Sequence, residues 1–519
     1  MLNTKLTKQG YIINKSEISS IQLAKIEKDL TIEPKTDQRF KKITDDEIFY
    51  IYLENVNGDK IVVPRYYGLE YFGKPTQTKF KILDIDKSNI KFKGDLRDYQ
   101  IEIMNTILND YCIDIKDPSN NLKDYGGSII SIPPGRGKTV LAINLITQLK
   151  LKALVIVHKT FLLNQWKERI NQYTDADVGI IQQDKIDIAN KQIVVAMLQS
   201  ISMKDYDKEL FQAFPLVIYD ECHHLGAKSF SKSLQKVNAP FYLGLSATPE
   251  RKDQTDIVFK YFLGPISYRG KFEPNNQVIV KLYSYNIINA KFKSIFNFKT
   301  KTYLTPKMIT NVCKIDERNN FIVKLITDII ISEPGRKILV LTGRCNSANN
   351  ESSVNHVKEI SDRLNKNSDL IDSWGYYIGG MKRIQLEISS EKQIIIGTYD
   401  MAQEGLDISS LDTLILASPL KGDITQTCGR ILRGGNIYQP LIIDIIDQVK
   451  PFCDQAKYRY GYYKSNNYNC SFYQIENGYD NVIEQLDDAF LEPMIKYTKS
   501  KSTTKSNNQS TTTNDEFID

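Results

Sequence analysis

Ser131-Ile132-Pro133-Pro134-Gly135-Arg136-Gly137-Lys138-Thr139 is the stretch on which the reading of this chain turns. Glycines on either side of Arg136 let backbone N–H groups approach and cradle phosphate oxygens. The lysine after them suits the β and γ phosphates, and the threonine hydroxyl is a ligand for Mg²⁺. Ahead of the loop, Gly126-Gly-Ser-Ile-Ile-Ser-Ile132 is a short apolar run of buried-strand type. Behind it, Val140-Leu-Ala-Ile-Asn-Leu-Ile-Thr-Gln-Leu149 carries apolar residues at helical spacing. The glycines therefore sit on a strand-to-helix turn, where the helix N-terminus adds partial positive charge to an anion site. The strict eight-residue pattern places glycine where this chain has Ile132, so an ordinary tight turn stays open on the loop alone.

A second element narrows the choice. Leu216-Val-Ile-Tyr219 is an apolar strand-like run that ends in Asp220-Glu221-Cys222-His223. Carboxylates at the carboxyl end of a parallel strand lie where open α/β sheets form nucleotide sites. Asp220 suits Mg²⁺, and Glu221 suits the orientation and deprotonation of an attacking water. An acidic pair on a solvated surface is the alternative, but it does not explain an apolar run downstream of a phosphate loop. Together the two elements point to nucleoside triphosphate hydrolysis.

Further segments follow in order. They are Leu96-Arg-Asp-Tyr-Gln100, Leu154-Val-Ile-Val157 with Gln165-Trp166, Met197-Leu-Gln-Ser200 and Ser246-Ala-Thr-Pro249. Gly397-Thr-Tyr-Asp-Met-Ala-Gln-Glu-Gly-Leu-Asp407 and Gln426-Thr-Cys-Gly-Arg-Ile-Leu-Arg433 complete the set. The ordered series, over roughly residues 95 to 450, resembles a superfamily 2 helicase of the DExH type. Asp220-Glu-Cys-His-His-Leu-Gly-Ala-Lys-Ser-Phe230 and Ala247-Thr-Pro-Glu-Arg-Lys-Asp253 are similar to the XPB/UvsW branch. That branch contains repair, phage recombination and viral transcript-release helicases. A composition rich in Asn, Lys, Ile and Tyr leans toward a large DNA virus.

The resemblance implies a division of labour. Lys138, Glu221, Arg430 and Arg433 would be catalytic. Gln100, Gly135, Arg136, Gly137, Lys138, Thr139, Gln426 and Asp407 would hold the nucleotide, with Thr139 and Asp220 on the metal. His223, Ser246 and Thr248 would couple nucleotide state to the nucleic-acid groove. Gln199 and Ser200 on the first domain, and Arg344 and Thr398 on the second, would touch the nucleic-acid backbone, with a surface salt bridge as the alternative for Arg344. Arg251 and Asp253 stand where relatives engage the duplex, although Arg-Lys-Asp replaces the XPB type's Arg-Glu-Asp. His223-His224 as metal ligands is disfavoured, because no third ligand is spaced nearby.

The rest of the chain sets bounds. Its 519 residues allow three or four domains, and 41% hydrophobic with 25% charged residues is ordinary globular composition. No apolar stretch is long enough to cross a bilayer and Met1-Leu-Asn-Thr-Lys5 lacks a signal peptide's apolar region. The expectation is an intracellular protein, cytoplasmic or virion-associated if viral. Seven scattered cysteines without a C-x-x-C pair support neither a disulfide framework nor a zinc site. A formal charge of +6 permits nucleic-acid binding without demonstrating it.

The expected fold is α/β, with two tandem RecA-like parallel-sheet domains, a small N-terminal α/β domain and a disordered C-terminal tail. The boundaries read are 1–92 (accessory), 93–270 (first RecA-like domain), 271–300 (connector), 301–465 (second RecA-like domain), 466–498 (extension) and 499–519 (tail). Lys457-Tyr-Arg-Tyr-Gly-Tyr-Tyr-Lys464 interleaves cations and rings, which suits base stacking or, on balance, a packed amphipathic helix. Pro64-Arg-Tyr-Tyr-Gly68 reads as a DNA grip or a plain turn.

The functional expectation is an ATP-dependent DNA helicase or translocase, with 3′–5′ polarity implied by the resemblance, acting in viral transcription or in repair and recombination. The cofactors are ATP and Mg²⁺. The partner is nucleic acid, DNA first, with RNA or an RNA–DNA hybrid as alternatives; RNA polymerase or other transcription proteins could join it, and no membrane is involved. Alternatives are a translocase that releases transcripts or remodels nucleoprotein without strand separation, an RNA helicase, and a nucleotide-gated scaffold that hydrolyses little.

Overall fold

The computed structural model describes residues 2–35, 47–79, 89–133, 135–251, 253–270, 278–345, 355–404, 408, 410–422, 424–432, 438–476 and 482–485. The expected disordered tail, 499–519, lies outside the described residues. The chain divides into two units, Met1–Lys271 and Phe272–Asp519.

In the first unit an N-terminal module contains β1 (Lys5–Thr7), β2 (Gly10–Asn14), α1 (Ser20–Asp29), β3 (Leu53–Glu54), β4 (Lys60–Val63), α2 (Arg65–Phe72) and β5 (Gln77–Thr78). Its sheet runs in the order β3-β4-β2-β1-β5. Pro64-Arg-Tyr-Tyr-Gly68 does not make a plain turn. It opens α2, and Arg65, 3% exposed, donates to the Pro240 carbonyl (2.6 Å) and the Ala239 carbonyl (2.7 Å). Tyr66 donates to Gly127 O at 3.2 Å, so these residues dock the module on the α/β domain that follows.

That domain is built from α3 (Asp98–Tyr111), β6 (Gly126–Ser131), α4 (Lys138–Leu149), β7 (Ala153–Val157), α5 (Thr160–Tyr173), β8 (Val178–Gln182), β9 (Lys185–Asp187) and β10 (Ile193–Met197). It continues with α6 (Leu198–Met203), β11 (Leu216–Asp220), α7 (Lys228–Lys236), β12 (Phe241–Ser246), α8 (Asp256–Leu263) and β13 (Ile266–Arg269). The sheet order is β9-β8-β10-β7-β11-β12-β6-β13, parallel throughout except at the β8–β9 edge. Strands buried on both faces explain the unbroken apolar runs in the sequence. Successive residues go to opposite cores: Ile129, Leu154 and Val217 to one side, Ile130, Val155 and Ile218 to the other.

The second unit repeats the plan. It holds β14 (Ile279–Asn286), a hairpin of β15 (Phe296–Asn297) and β16 (Thr302–Tyr303), α9 (Thr305–Val312), α10 (Asp316–Ser332), β17 (Ile338–Thr342), α11 (His356–Leu364) and β18 (Trp374–Tyr377). Then come α12 (Arg383–Glu391), β19 (Ile394–Thr398), α13 (Tyr399–Glu404), β20 (Thr413–Leu416), α14 (Thr425–Cys428), β21 (Leu441–Asp447), α15 (Phe452–Ser465), β22 (Asn469–Glu476) and β23 (Val482–Gln485). The order is β18-β19-β17-β20-β21-β14-β22-β23, parallel up to an antiparallel β23. Both sheets are RecA-like. Residues 279–286, read as part of a connector, lie inside this sheet between β21 and β22, and residues 469–476 of the expected extension form β22.

The Tyr/Lys/Arg run belongs to α15 and is packed. Arg459, 3% exposed, makes a two-point bond to the buried Asp444 (2.8 and 2.7 Å), and Tyr463 donates to the same carboxylate at 3.0 Å. All seven cysteines are free thiols, and among the described residues no helix is long and apolar enough to cross a membrane.

Candidate nucleotide site

The phosphate loop leaves the carboxyl end of β6 and enters α4. Gly135 and Gly137 both stand at φ +79°, a conformation glycine adopts without a Cβ penalty. A Cβ on Gly137 would come within 2.4 Å of Gln100 Nε2. Gln100, 5% exposed, accepts from the Arg97 N–H at 3.0 Å and donates to the Arg136 carbonyl at 3.4 Å. The neighbouring Tyr99 hydroxyl donates to the same carbonyl at 3.2 Å, and the Arg136 guanidinium lies 5.5 Å from the Tyr99 ring centre. The segment of Gln100, expected to hold the nucleotide, thus clamps the loop. Lys138 Nζ donates to Ile132 O at 3.4 Å and lies 4.0 Å from Glu221 Oε1. Thr139 follows it as the second residue of α4.

β11 delivers the acidic pair two strands from β6, with β12 between them. Asp220 accepts from Trp166 Nε1 at 2.8 Å and from the Glu221 N–H at 3.1 Å. Burial first, then the charge of Glu221, pushes its pKa up to about 6. Trp166 is a site residue that sequence reasoning quoted without giving it a role; as one of two tryptophans it was visible. Glu221 adopts φ +48°, ψ +53°, a left-handed conformation costly for a residue with a side chain and concentrated at functional sites. Its Oε2 is buried without a hydrogen bond and lies 3.4 Å from His223 Nδ1. Burial lowers the His223 pKa, so this approach joins a carboxylate to a neutral ring.

His223 Nδ1 also lies 3.0 Å from Ser246 Oγ, which accepts from the Thr248 N–H at 3.2 Å. Ser246 is fully buried at the end of β12, so the acidic turn and the Ser-Ala-Thr turn share one hydroxyl. Arg251 joins them from the other side. Its guanidinium donates to His223 O (2.7 Å), to Thr255 Oγ1 (2.7 Å) and to both oxygens of Asp253 (3.0 and 2.6 Å). It packs over Gly226, where a Cβ would meet Arg251 Nε at 2.6 Å. Arg251 and Asp253, which stand where relatives engage the duplex, brace the turn that carries Glu221. They are close in sequence and opposite in charge, a signal that spacing alone could have raised.

The nucleic-acid candidates have internal partners. Gln199 Nε2 donates to His158 O, and the buried Ser200 Oγ accepts from the Gln183 N–H at 2.9 Å. In the second unit Arg344 spends its donors on neighbouring protein groups. It donates to Thr310 Oγ1 (3.0 Å), Pro306 O (2.6 Å) and Gly343 O (2.9 Å), tying the end of β17 to α9. Thr398 ends β19 in register with Thr342, and its hydroxyl lies 3.5 Å from the Met401 N–H. Gln426 is half-buried in α14, and Arg430 Nε donates to Ala402 O at 2.6 Å. Asp407 and Arg433 lie outside the described residues.

The first unit fits a nucleotide with a divalent cation. Two left-handed glycines shape a backbone cradle, a lysine stands beside it, and a carboxylate whose acidity is suppressed by burial would gain from a bound cation. Mg²⁺ characteristically takes one or two carboxylates together with phosphates. Among the described residues no three His, Cys, Asp or Glu side chains converge as a metal site of their own.

Residues 93–251 match the family model described as the res subunit of type III restriction enzymes. A protein of Acanthamoeba polyphaga mimivirus, named as an ATP-dependent RNA helicase, is 36% identical over 495 residues, covering 94% of this chain and 90% of its own. A protein of Invertebrate iridescent virus 6, named as a helicase, is 27% identical over 404 residues, 76% of this chain and 85% of its own. The DNA 3′–5′ translocase XPB2 of Sulfurisphaera tokodaii is 36% identical over 214 residues, 41% of this chain and 44% of its own. With the loop, the acidic turn and two RecA-like sheets in place, the chain belongs to the superfamily 2 helicases of the XPB/UvsW-like type and is an ATP-hydrolysing, nucleic-acid-binding helicase.

Proposed function

We propose that the chain is a 3′–5′ DNA translocase that uses ATP hydrolysis to separate strands, in viral transcription or in repair and recombination. The observation that carries the hydrolytic part is the convergence of Lys138, Asp220 and Glu221 at the carboxyl ends of β6 and β11. The choice of DNA and of polarity rests on the 36% identity to a DNA 3′–5′ translocase over 214 residues.

In this reading the glycine loop binds the phosphates through its N–H groups, and Lys138 offsets their charge. Glu221 accepts a proton from water as its oxygen attacks the γ-phosphorus and the bond to the departing ADP breaks. Mg²⁺, held by Thr139 and Asp220, would supply charge neutralisation at the phosphates. We assign Arg430 and Arg433 as the cations that complete phosphate recognition, since guanidinium groups match phosphate oxygens in pairs. Asp407 and Gln426 complete the nucleotide set, and the His223–Ser246–Thr248 chain carries nucleotide state to the strand ends.

The mimivirus relative's name favours RNA as the second reading. ATP hydrolysis by the full chain with no nucleic acid, single-stranded DNA, duplex DNA, RNA and an RNA–DNA hybrid decides between them, with Glu221→Gln as control. Stimulation by DNA that the variant abolishes, followed by 3′–5′ displacement of a labelled strand, is the expected result. Stimulation by RNA alone overturns the DNA assignment. Stimulation by DNA without displacement makes the protein a remodelling translocase, and no hydrolysis at all returns it to a nucleotide-gated scaffold.

A further inference from the structure

The segment 287–315 carries six lysines and no acidic residue, a local charge equal to the formal +6 of the whole chain. It folds into the β15–β16 hairpin and α9. At the hairpin tip Phe298 is 84% exposed and Phe296 is 38% exposed. Their rings meet edge to face at 5.2 Å, and Phe296 meets Tyr303 across the strands at 5.1 Å. A ring this exposed forgoes the burial that usually stabilises phenylalanine. The tip is nonetheless held by hydrogen bonds. Asn297 Oδ1 accepts from the N–H groups of Lys299 (3.0 Å) and Thr300 (3.3 Å), and the Thr300 and Thr302 hydroxyls lie 2.8 Å apart. The base is fixed as well: Leu304 N–H donates to Ile295 O at 2.9 Å, Ser294 donates to Lys450 O at 2.8 Å, and Phe292 is buried beside Tyr285.

Lys293, Lys299, Lys301 and Lys307 are exposed, and none has an acidic partner among the described residues. Arg344, itself expected to meet nucleic acid, ties α9, which follows the hairpin in the chain, to the end of β17. We propose that this hairpin is a binding element for single-stranded nucleic acid, with Phe298 stacking on an unpaired base and Lys299 and Lys301 facing the flanking phosphates. Rings stack on every base and lysines read no sequence, so the element is sequence-tolerant and salt-sensitive. An exposed ring set among exposed lysines fits a ligand that offers both a flat face to stack on and a line of phosphates, which a nucleic-acid strand does.

The proposal rests on the helicase reading, and its test separates the two. Binding of labelled oligothymidylate and oligouridylate to the full chain is measured by anisotropy across a salt series. Phe298→Ala lowers affinity by about 5- to 160-fold, the loss of one base–aromatic stack. Lys299→Gln with Lys301→Gln reduces the slope of log affinity against log salt by about 1.4, at about 0.7 per phosphate contact on a single strand. Phe298→Trp keeps affinity, and its added fluorescence is quenched by single strands and not by blunt duplex. ATP hydrolysis without nucleic acid is the same in all variants, which reports intact folding. Unchanged affinity in Phe298→Ala, or an unquenched indole signal in Phe298→Trp, overturns the hairpin while leaving the helicase reading in place. A wild-type chain that binds neither oligonucleotide overturns the hairpin as well, while ATP hydrolysis stimulated by duplex DNA keeps the helicase reading separate from it.

Discussion

Replacing Gly137 by alanine tests whether Gln100 serves as the clamp of the phosphate loop. Gly137 caps α4 at φ +79°, ψ +37°. Left-handed backbone costs an alanine about 1–2 kcal/mol. The new methyl would stand 2.4 Å from Gln100 Nε2, so the amide must swing away and release the Arg136 carbonyl. That bond is long at 3.4 Å, and its loss adds about 0.5–1 kcal/mol, the low end of the ordinary range. The sum, about 1.5–3 kcal/mol, predicts a fall in ATP affinity of about 10- to 150-fold at 1.4 kcal/mol per tenfold. In a Gln100→Ala background the steric part vanishes and the backbone part remains. Titration of the wild type, both single variants and the double variant with a fluorescent ATP analogue therefore yields a coupling of about 0.5–1 kcal/mol. Unfolding midpoints for all four proteins confirm that the loop rather than the fold is affected. Additivity of the two substitutions refutes the clamp, and wild-type affinity in Gly137→Ala refutes the assignment of this loop to phosphate.

Arg251→Ala is expected to lower kcat for ATP far more than it changes KM, because it frees the turn carrying Glu221 and leaves the phosphate loop intact; steady-state kinetics with an equal loss in both would point to general unfolding. Arg459→Leu strands the buried Asp444 carboxylate and costs about 3–5 kcal/mol in the second unit, read in urea through Trp374 in a Trp166→Phe background; an unchanged midpoint contradicts the packed reading of α15. His356 is fully buried between Thr342 and Asn319, and burial lowers its pKa from 6.5 to about 3. Its folded form resists the proton that the unfolded form takes, so its share of stability is complete above pH 6.5 and falls by about 1.4 kcal/mol per pH unit below it. His356→Gln flattens that dependence between pH 6.5 and 5.5, and an equally steep slope in the variant rejects it.

The sheets were legible because parallel strands buried on both faces leave continuous apolar runs. The apolar runs at 154–157 and 216–219 became strands close to those limits. Strands at the margins were harder. Val178–Gln182 alternates in burial at one side of its sheet, and Trp374–Tyr377 is a four-residue edge rich in aromatics. Ile279–Asn286 fell within the stretch read as a connector, because its place between β21 and β22 depends on pairings with residues more than 150 positions away in sequence, which local pattern does not encode.

The same limit separates the nucleotide candidates, whose chemistry is local, from the nucleic-acid candidates, whose surroundings are not. A phosphate loop works through its own backbone, so residues 135–139 carry their chemistry wherever the chain places them, and Asp220-Glu221 needs only a strand end. Gln199, Ser200, Arg344 and Arg251 are polar groups at strand ends too, yet each finds a carbonyl, hydroxyl, N–H or carboxylate nearby. Polar side chains at the carboxyl edge of a parallel sheet must first satisfy the loops that leave it, since a buried loop carbonyl without a partner costs about 1–3 kcal/mol. Those that remain for a ligand are the ones the protein does not use. By that criterion the strongest candidates lie outside every quoted motif, on the β15–β16 hairpin, where an exposed phenylalanine and four exposed lysines without acidic partners among the described residues stand on an ordered turn.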